Sequence, residues 1–230
     1  MRAILLAAGM GTRLRPLTLT TPKSLVQVNG KPMLERQIEY LKQTGVEEII
    51  VVTGYLAEKF DYLVDKYNVK LVHNDKYDVY NNIYTMYLVR DYLQDAYVMD
   101  ADVYLHRNIF IENPKSSLYL SAKKDDFKNE WIIKHDEDGK VYDIEIGDGS
   151  DDYILCGISY WSKEDGTYIV QKLEEVVESG DFSELYWDNI VKDNIDKLNV
   201  HLHKIGSYDS FEIDSVEDLE KVEETIASLV

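Results

Sequence analysis

Leu5-Leu6-Ala7-Ala8-Gly9-Met10-Gly11-Thr12-Arg13-Leu14 opens on apolar side chains and breaks into two spaced glycines. The run Ala3 to Ala8 carries no polar side chain, which predicts a buried first strand. Gly9 and Gly11 then predict a loop at its carboxyl end. Without a Cβ in the way, backbone N–H groups there can approach and cradle phosphate oxygens. Two familiar phosphate motifs are excluded. The Walker pattern of glycine, four residues and Gly-Lys-Ser/Thr is absent. The dinucleotide fingerprint needs a third glycine where Leu14 stands. Arg13, and then Lys23 in Pro22-Lys23-Ser24-Leu25, add two cations. Together they suit a triphosphate and developing charge on a reacting phosphorus.

The charge distribution agrees with this loop. The 230 residues carry a net charge of −18, which argues against nucleic acid and anionic membranes as partners. Residues 1–34 nevertheless hold Arg2, Arg13, Arg15, Lys23 and Lys31 and no acid. A basic segment in an acidic protein suggests a pocket for a polyanion. The longest apolar runs, such as Ile49 to Val52, are far shorter than the ~20 residues of a membrane helix, so no membrane insertion is expected. The start resembles a signal peptide only faintly, since its apolar stretch runs straight into the glycine loop. The single cysteine, Cys156, points to a cytoplasmic setting.

Strands and helices are predicted to alternate from the loop onward. Pro32 to Thr44 reads as a helix, with Leu34, Ile38 and Leu41 on one face and Gly45 ending it. Glu48 to Thr53 reads as a buried strand, Ala57 to Lys66 as a helix and Lys70 to His73 as a strand. Asn82 to Tyr92 fits a helix, and Tyr97 to Met99 a strand. Residues 117–160 read as shorter antiparallel or mixed strands. Ser162, with Asp165 three residues on, caps a helix to about Glu178. Glu184 to Lys192 is a further helix and Val200 to Lys204 a late strand. Ser215 with Asp218 opens a final helix through Leu219, Val222 and Ile226. The fold class is α/β: a Rossmann-like three-layer α/β/α sandwich with a mixed, mostly parallel central sheet. Residues 1–230 are expected to form one domain, in which 117–160 is a small insertion.

Leu6 to Thr18, then Pro22-Lys23-Ser24-Leu25 and Gly30-Lys31-Pro32-Met33, resembles the signature of the nucleotidyltransferases that activate sugar phosphates and similar compounds. More closely, the chain is similar to the bacterial choline-phosphate cytidylyltransferases of that superfamily. The closer resemblance rests on Tyr80-Asn81-Asn82, Asp100-Ala101-Asp102, Asn129-Glu130-Trp131, Leu185-Tyr186-Trp187-Asp188-Asn189 and Glu212-Ile213-Asp214-Ser215. It implies CTP and phosphocholine as substrates, magnesium as cofactor, and in-line transfer giving CDP-choline and pyrophosphate. It also implies that Leu6, Ala7, Ala8, Gly9, Gly11, Thr12 and Asn82 bind the nucleotide, with Gly9 to Arg13 on the triphosphate and Asn82 on the nucleoside, that Arg13 and Lys23 are catalytic, Lys23 contacting the reacting phosphate, and that the insertion 117–160 serves the acceptor.

Asp100 and Asp102 follow a predicted strand, where open α/β sheets place their ligands, and magnesium favours carboxylate oxygens. Asp214 stands before the cap at Ser215, where a charge complementing the helix dipole is the simpler reading. The resemblance implies that Asp102 and Asp214 are the metal ligands; Asp100 is left to organise its turn. His201 and His203 alternate on a predicted strand, but no third transition-metal ligand accompanies them. A quaternary ammonium cannot donate an N–H hydrogen bond, so an aromatic cage with nearby carboxylates is expected for it. Glu130-Trp131 and Tyr186-Trp187-Asp188 pair those features. The competing expectations are phosphoethanolamine, 2-aminoethylphosphonate or a sugar 1-phosphate as acceptor, or a non-catalytic nucleotide-sensing subunit.

Overall fold

The computed structural model describes residues 1–229. Its centre is a seven-stranded sheet in the order Val200–Lys204, Ser117–Ser121, Ile158–Trp161, Ala96–Asp100, Arg2–Ala7, Glu48–Thr53 and Lys70–His73. All its neighbours pair in parallel except around Ile158–Trp161, which runs against both Ser117–Ser121 and Ala96–Asp100. The expected mixed, mostly parallel sheet with flanking helices is therefore present.

Side-chain alternation along the first strands builds the layers. Leu5 and Val51 point to one face, where they meet Leu34, Ile38 and Leu41 of the helix Met33–Gln43, together with Phe60 and Leu63. Ile4, Leu6, Ile50 and Val52 point to the other. There they meet Ile83 and Met86 of the helix Asn82–Leu88, and Ile169 and Leu173 of the helix Lys163–Ser179. Each such buried side chain contributes about 1.5–3 kcal/mol relative to exposure. A third cluster packs Leu14, Val28, Met33 and Ile213 against Val222 and Ile226 of the last helix, Val216–Ser228. That contact brings the carboxyl-terminal helix back to the first loop.

Both expected caps are made. The Asp165 N–H donates to Ser162 Oγ at 3.1 Å, and the Asp218 N–H donates to Ser215 Oγ at 3.1 Å. Three helices differ from their sequence expectation. The span from Ala57 is a 3-10 turn, Ala57–Phe60, followed by the helix Tyr62–Tyr67; Phe60 and Leu63, three apart, are both fully buried. The helix from Asn82 ends at Leu88, because Val89 leaves helical geometry, and Arg90–Tyr92 continues as a 3-10 turn. The helix expected from Glu184 begins at Trp187, since Tyr186 is extended and the Asn189 side chain accepts its N–H at 2.8 Å.

Of residues 117–160, Ser117–Ser121 and Ile158–Trp161 are interior strands of the main sheet. Between them the antiparallel hairpin Phe127–His135 and Val141–Gly149 stands outside it.

Candidate active site

The carboxyl edge of the sheet opens into a cavity of about 550 Å³. Its first wall is the glycine loop. The Ala101 N–H donates to Leu6 O at 3.1 Å and the Tyr55 N–H to Ala8 O at 3.1 Å, tying the strand end to both neighbours. Thr18 Oγ1 donates to Gly11 O at 2.8 Å and fixes the loop from below. Gly11 has φ +57°, and a Cβ there would lie 2.7 Å from Lys23 Cβ. Only glycine lets the loop and Lys23 share that space. At Gly9 a Cβ would meet no protein atom within 4 Å, so the fold makes no demand for glycine there. Leu6, Ala8, Gly9, Gly11, Thr12, Arg13 and Lys23 all line the cavity; Ala7 lines a small recess beside it.

The carboxylates arrive from two segments. Gln37 Nε2 donates to Asp100 O at 3.1 Å and to Val103 O at 2.6 Å, holding the turn that carries Asp102. The short strands Val103–Leu105 and Ser210–Glu212 pair antiparallel, with Glu212 opposite Val103, and the Ile213 N–H donates to Asp102 O at 3.2 Å. This pairing sets Asp214 beside Asp102 across 112 residues of chain. Lys23 Nζ sits between them, 2.6 Å from Asp102 Oδ2 and in contact with Asp214 Oδ1. Arg13 reaches Asp214 Oδ2 at 2.8 Å. Burial works to lower the Lys23 pKa, but the facing carboxylates outweigh it and raise it above its ordinary value. Lys23 is therefore a cation at neutral pH.

Glu212 joins the pair: Asp102, Glu212 and Asp214 each offer an oxygen within 4.8 Å of the others. It is the only such triplet among the described residues, and it includes neither His201 nor His203. Glu212 opens toward the cavity, yet the walls withdraw enough water that desolvation, then Asp102 and Asp214, push its carboxyl up to about 7. Asp100 is raised by burial and by Asp102; its backbone N–H donates to Gly157 O at 2.9 Å. An all-oxygen, crowded donor set with an ammonium already drawn into it fits a hard divalent cation.

The rest of the lining is aromatic and acidic. Trp131 meets Tyr186 edge to face, with centroids 6.5 Å apart, and Tyr186 is half exposed. Trp187 also lines the cavity but is only 3% exposed, its ring edge-on to Trp161 at 5.7 Å. The two tryptophans thus stand differently: Trp131 on the wall, Trp187 in the core behind it. Asp188 Oδ1 accepts the Tyr119 hydroxyl at 3.2 Å. Burial raises the Asp188 carboxyl to about 7, against the lowering pull of that hydrogen bond. Burial likewise raises Glu130. Asn82 lines the same cavity, its Oδ1 accepting the Trp187 N–H at 3.0 Å.

The sequence names Glu212 only within a stretch that carries the resemblance, with no role, and singles out Tyr119 not at all. The spacing of Glu212 and Asp214 was a usable signal, because residues two apart on extended chain share a face. Tyr119 is one of 18 tyrosines and had no local signal.

Residues 2–144 match the family model described as nucleotidyl transferase. The chain is 50% identical over 226 residues to a choline-phosphate cytidylyltransferase of Streptococcus pneumoniae, covering 98% of each. It is 38% identical over 221 residues to a 2-aminoethylphosphonate cytidylyltransferase of Lancefieldella rimae, covering 94% of this chain and 89% of the relative. The solved structure of the CTP:phosphocholine cytidylyltransferase from Streptococcus pneumoniae superposes with a TM-score of 0.95 at 49% identity, covering 98% of both chains.

Proposed function

The chain belongs to the nucleotidyl transferase family, and on that premise we propose that it is a choline-phosphate cytidylyltransferase, joining CTP to phosphocholine and releasing pyrophosphate. The observation that carries this reading is the mixed lining of one cavity: Arg13, Lys23 and the glycine loop share it with Glu130, Trp131, Tyr186 and Asp188. A nucleoside triphosphate matches the cations and the loop. A small phosphate ester with a cationic tail matches the aromatic rings and carboxylates.

Phosphocholine's phosphate attacks the α-phosphorus of CTP. A new P–O bond forms in line as the bond to the β-phosphate oxygen breaks, and pyrophosphate leaves. The attacking phosphate is already anionic at neutral pH, so no strong general base is needed. Backbone N–H groups of Gly9 to Arg13 orient the triphosphate, and Asn82 meets the nucleoside. Lys23 and Arg13 offset charge that builds on the phosphates. Asp102 and Asp214, with Glu212 beside them, would hold magnesium, which when bound neutralises and orients phosphate oxygens. The rest is positioning, with no covalent enzyme intermediate.

Trp131 and Tyr186 offer ring faces and edges to the acceptor's cation, and Glu130 and Asp188 offer charge. A sugar 1-phosphate has no cation to meet these carboxylates and would need more hydrogen-bonding groups around its hydroxyls, which disfavours it. Phosphoethanolamine and 2-aminoethylphosphonate share the cation but gain less from an aromatic wall, because an ammonium must give up hydration. On this reading residues 1–230 are a single catalytic domain whose acceptor side is supplied by the excursion within 117–160. It works in the cytoplasm, where its nucleotide is made.

The test is a matrix of four nucleoside triphosphates against phosphocholine, phosphoethanolamine, 2-aminoethylphosphonate and glucose 1-phosphate, read by pyrophosphate release. CTP with phosphocholine is expected to give the highest kcat/KM. Equal turnover of phosphoethanolamine would remove the cage, and no pyrophosphate from any pair would leave the nucleotide-sensing alternative.

A further inference from the structure

Three consecutive residues, Tyr80, Asn81 and Asn82, grip the segment 182–187 across the cavity. The Tyr80 and Phe182 rings lie 4.9 Å apart. Asn81 donates its backbone N–H to Ser183 O at 3.4 Å and its side-chain Nδ2 to Glu184 O at 2.8 Å. Asn82 Oδ1 accepts the Trp187 N–H at 3.0 Å. That N–H is the first of the helix Trp187–Asp193, one of the donors a helix leaves without an internal partner. Asn82 thus provides, from 105 positions away, the acceptor that an N-cap side chain supplies locally in other helices. The segment it holds carries Tyr186 and Asp188.

A side-chain amide has an acceptor end and a donor end. With Oδ1 committed to Trp187, the Nδ2 donor of Asn82 is left for an occupant of the cavity that this residue lines. We propose that Asn82 is a positioning residue coupling the two substrate subsites: a nucleotide engaged by Nδ2 fixes Oδ1 on the Trp187 N–H, and so holds Tyr186 and Asp188 in place for the acceptor. This rests on the nucleotide and acceptor assignments made above. Because linkage is reciprocal, each substrate then tightens the other.

The experiment measures amide hydrogen exchange over residues 183–188 of the full chain, with magnesium and a non-hydrolysable CTP analogue and no acceptor. It is paired with calorimetric titration of phosphocholine with and without that analogue. In the unmutated protein the analogue slows exchange at 183–188 and tightens phosphocholine. Asn82→Ala exchanges faster from the outset and loses both responses, and its phosphocholine affinity falls about 5-fold, the usual effect of a lost cap. Asn82→Asp retains an oxygen for the Trp187 N–H but no donor. It keeps the starting exchange rate and the phosphocholine affinity of the free protein, while the response to nucleotide disappears. In turnover, Asn82→Asp raises KM for CTP alone, whereas Asn82→Ala raises both KM values. If Asn82→Ala fails to fold, Asn82→Asp decides the matter alone. The proposal is overturned if the analogue leaves exchange at 183–188 unchanged in the unmutated protein, or if both variants respond to nucleotide as it does. Failure of phosphocholine to bind at all would refute the acceptor assignment instead, and the exchange measurement would still decide the coupling.

Discussion

Replacing each glycine of the first loop by alanine separates what the fold requires from what the substrate requires. At Gly11 the new Cβ would lie 2.7 Å from Lys23 Cβ, where carbon atoms prefer about 3.5–4.0 Å. Relief therefore moves the two backbones apart by roughly 1 Å. The contact is with the root of the lysine side chain, so the ammonium shifts with it. Misplacing a reacting group by that much costs on the order of 10²-fold in rate. The residue is also at φ +57°, and a non-glycine residue there costs about 1–2 kcal/mol. For a chain of this size that lowers Tm by roughly 2–8 °C before the clash is counted. Gly9 is the opposite case, since its Cβ would meet only cavity. Gly9→Ala should leave Tm unchanged. It should raise KM for CTP roughly 10- to 100-fold, by holding a phosphate off one charge-assisted backbone hydrogen bond. Differential scanning calorimetry and initial rates on both variants check this. A Gly11→Ala protein with normal Tm and turnover, or a Gly9→Ala protein destabilised as strongly as Gly11→Ala, would refute the division.

Lys23→Ala should lower kcat by about 10² or more, while Mn²⁺ binding to the nucleotide-free protein tightens, because the ammonium no longer competes for Asp102 and Asp214; electron paramagnetic resonance of free Mn²⁺ reads the second effect, and unchanged affinity would count against it. Asp188, raised to about 7, is neutral below that pH and anionic above it, so KM for phosphocholine should fall as pH rises through about 7, and Asp188→Asn should flatten the profile. The same shift makes the folded state the tighter proton binder, so this group's stabilising contribution is complete below its ordinary pKa and lost as pH climbs through about 7; thermal melts of the two proteins against pH should converge at the acid end. Trp131→Ala should weaken phosphocholine binding about 5- to 30-fold with little change for CTP, and Trp131→Phe should keep part of it. Trp187→Ala should instead cost about 3–5 kcal/mol of folding stability, since the ring is buried against Trp161; a normal Tm would place that ring on the cavity wall rather than in the core.

The sequence carried the fold because its signals are local. The continuous apolar run from Ala3, the Met33 helix face and the Ser162 and Ser215 caps are each decided within a few residues. The loop was legible for the same reason: Gly9, Gly11 and Arg13 lie on one short stretch. What escaped was made by long-range pairing. Lys23 meets carboxylates 79 and 191 positions away, and no local pattern states that its ammonium rests between them. Trp131 and Trp187 each stand beside an acid in sequence, and only packing against Trp161 separates the wall residue from the core residue. The helix expected from Glu184 starts at Trp187 because Tyr186 is extended with its N–H on Asn189, and the Trp187 N–H finds its acceptor only in Asn82, 105 positions away. Tyr119 acquires its place near Asp188 from the sheet order alone.

The reversed strand Ile158–Trp161 has an evolutionary consequence. Ser121 ends a strand at the carboxyl edge of the sheet, and because Ile158 begins a strand running the other way, it starts at that same edge. The chain between them leaves and returns on one side, like a handle with both feet on the same rim. Its length and sequence can drift while the pairing of Tyr119 with Ser159 stays intact. Such a handle is exchangeable cargo: it can be lengthened, shortened or rewritten without redirecting the strands at its two feet, so Glu130 and Trp131 can be replaced without a new fold.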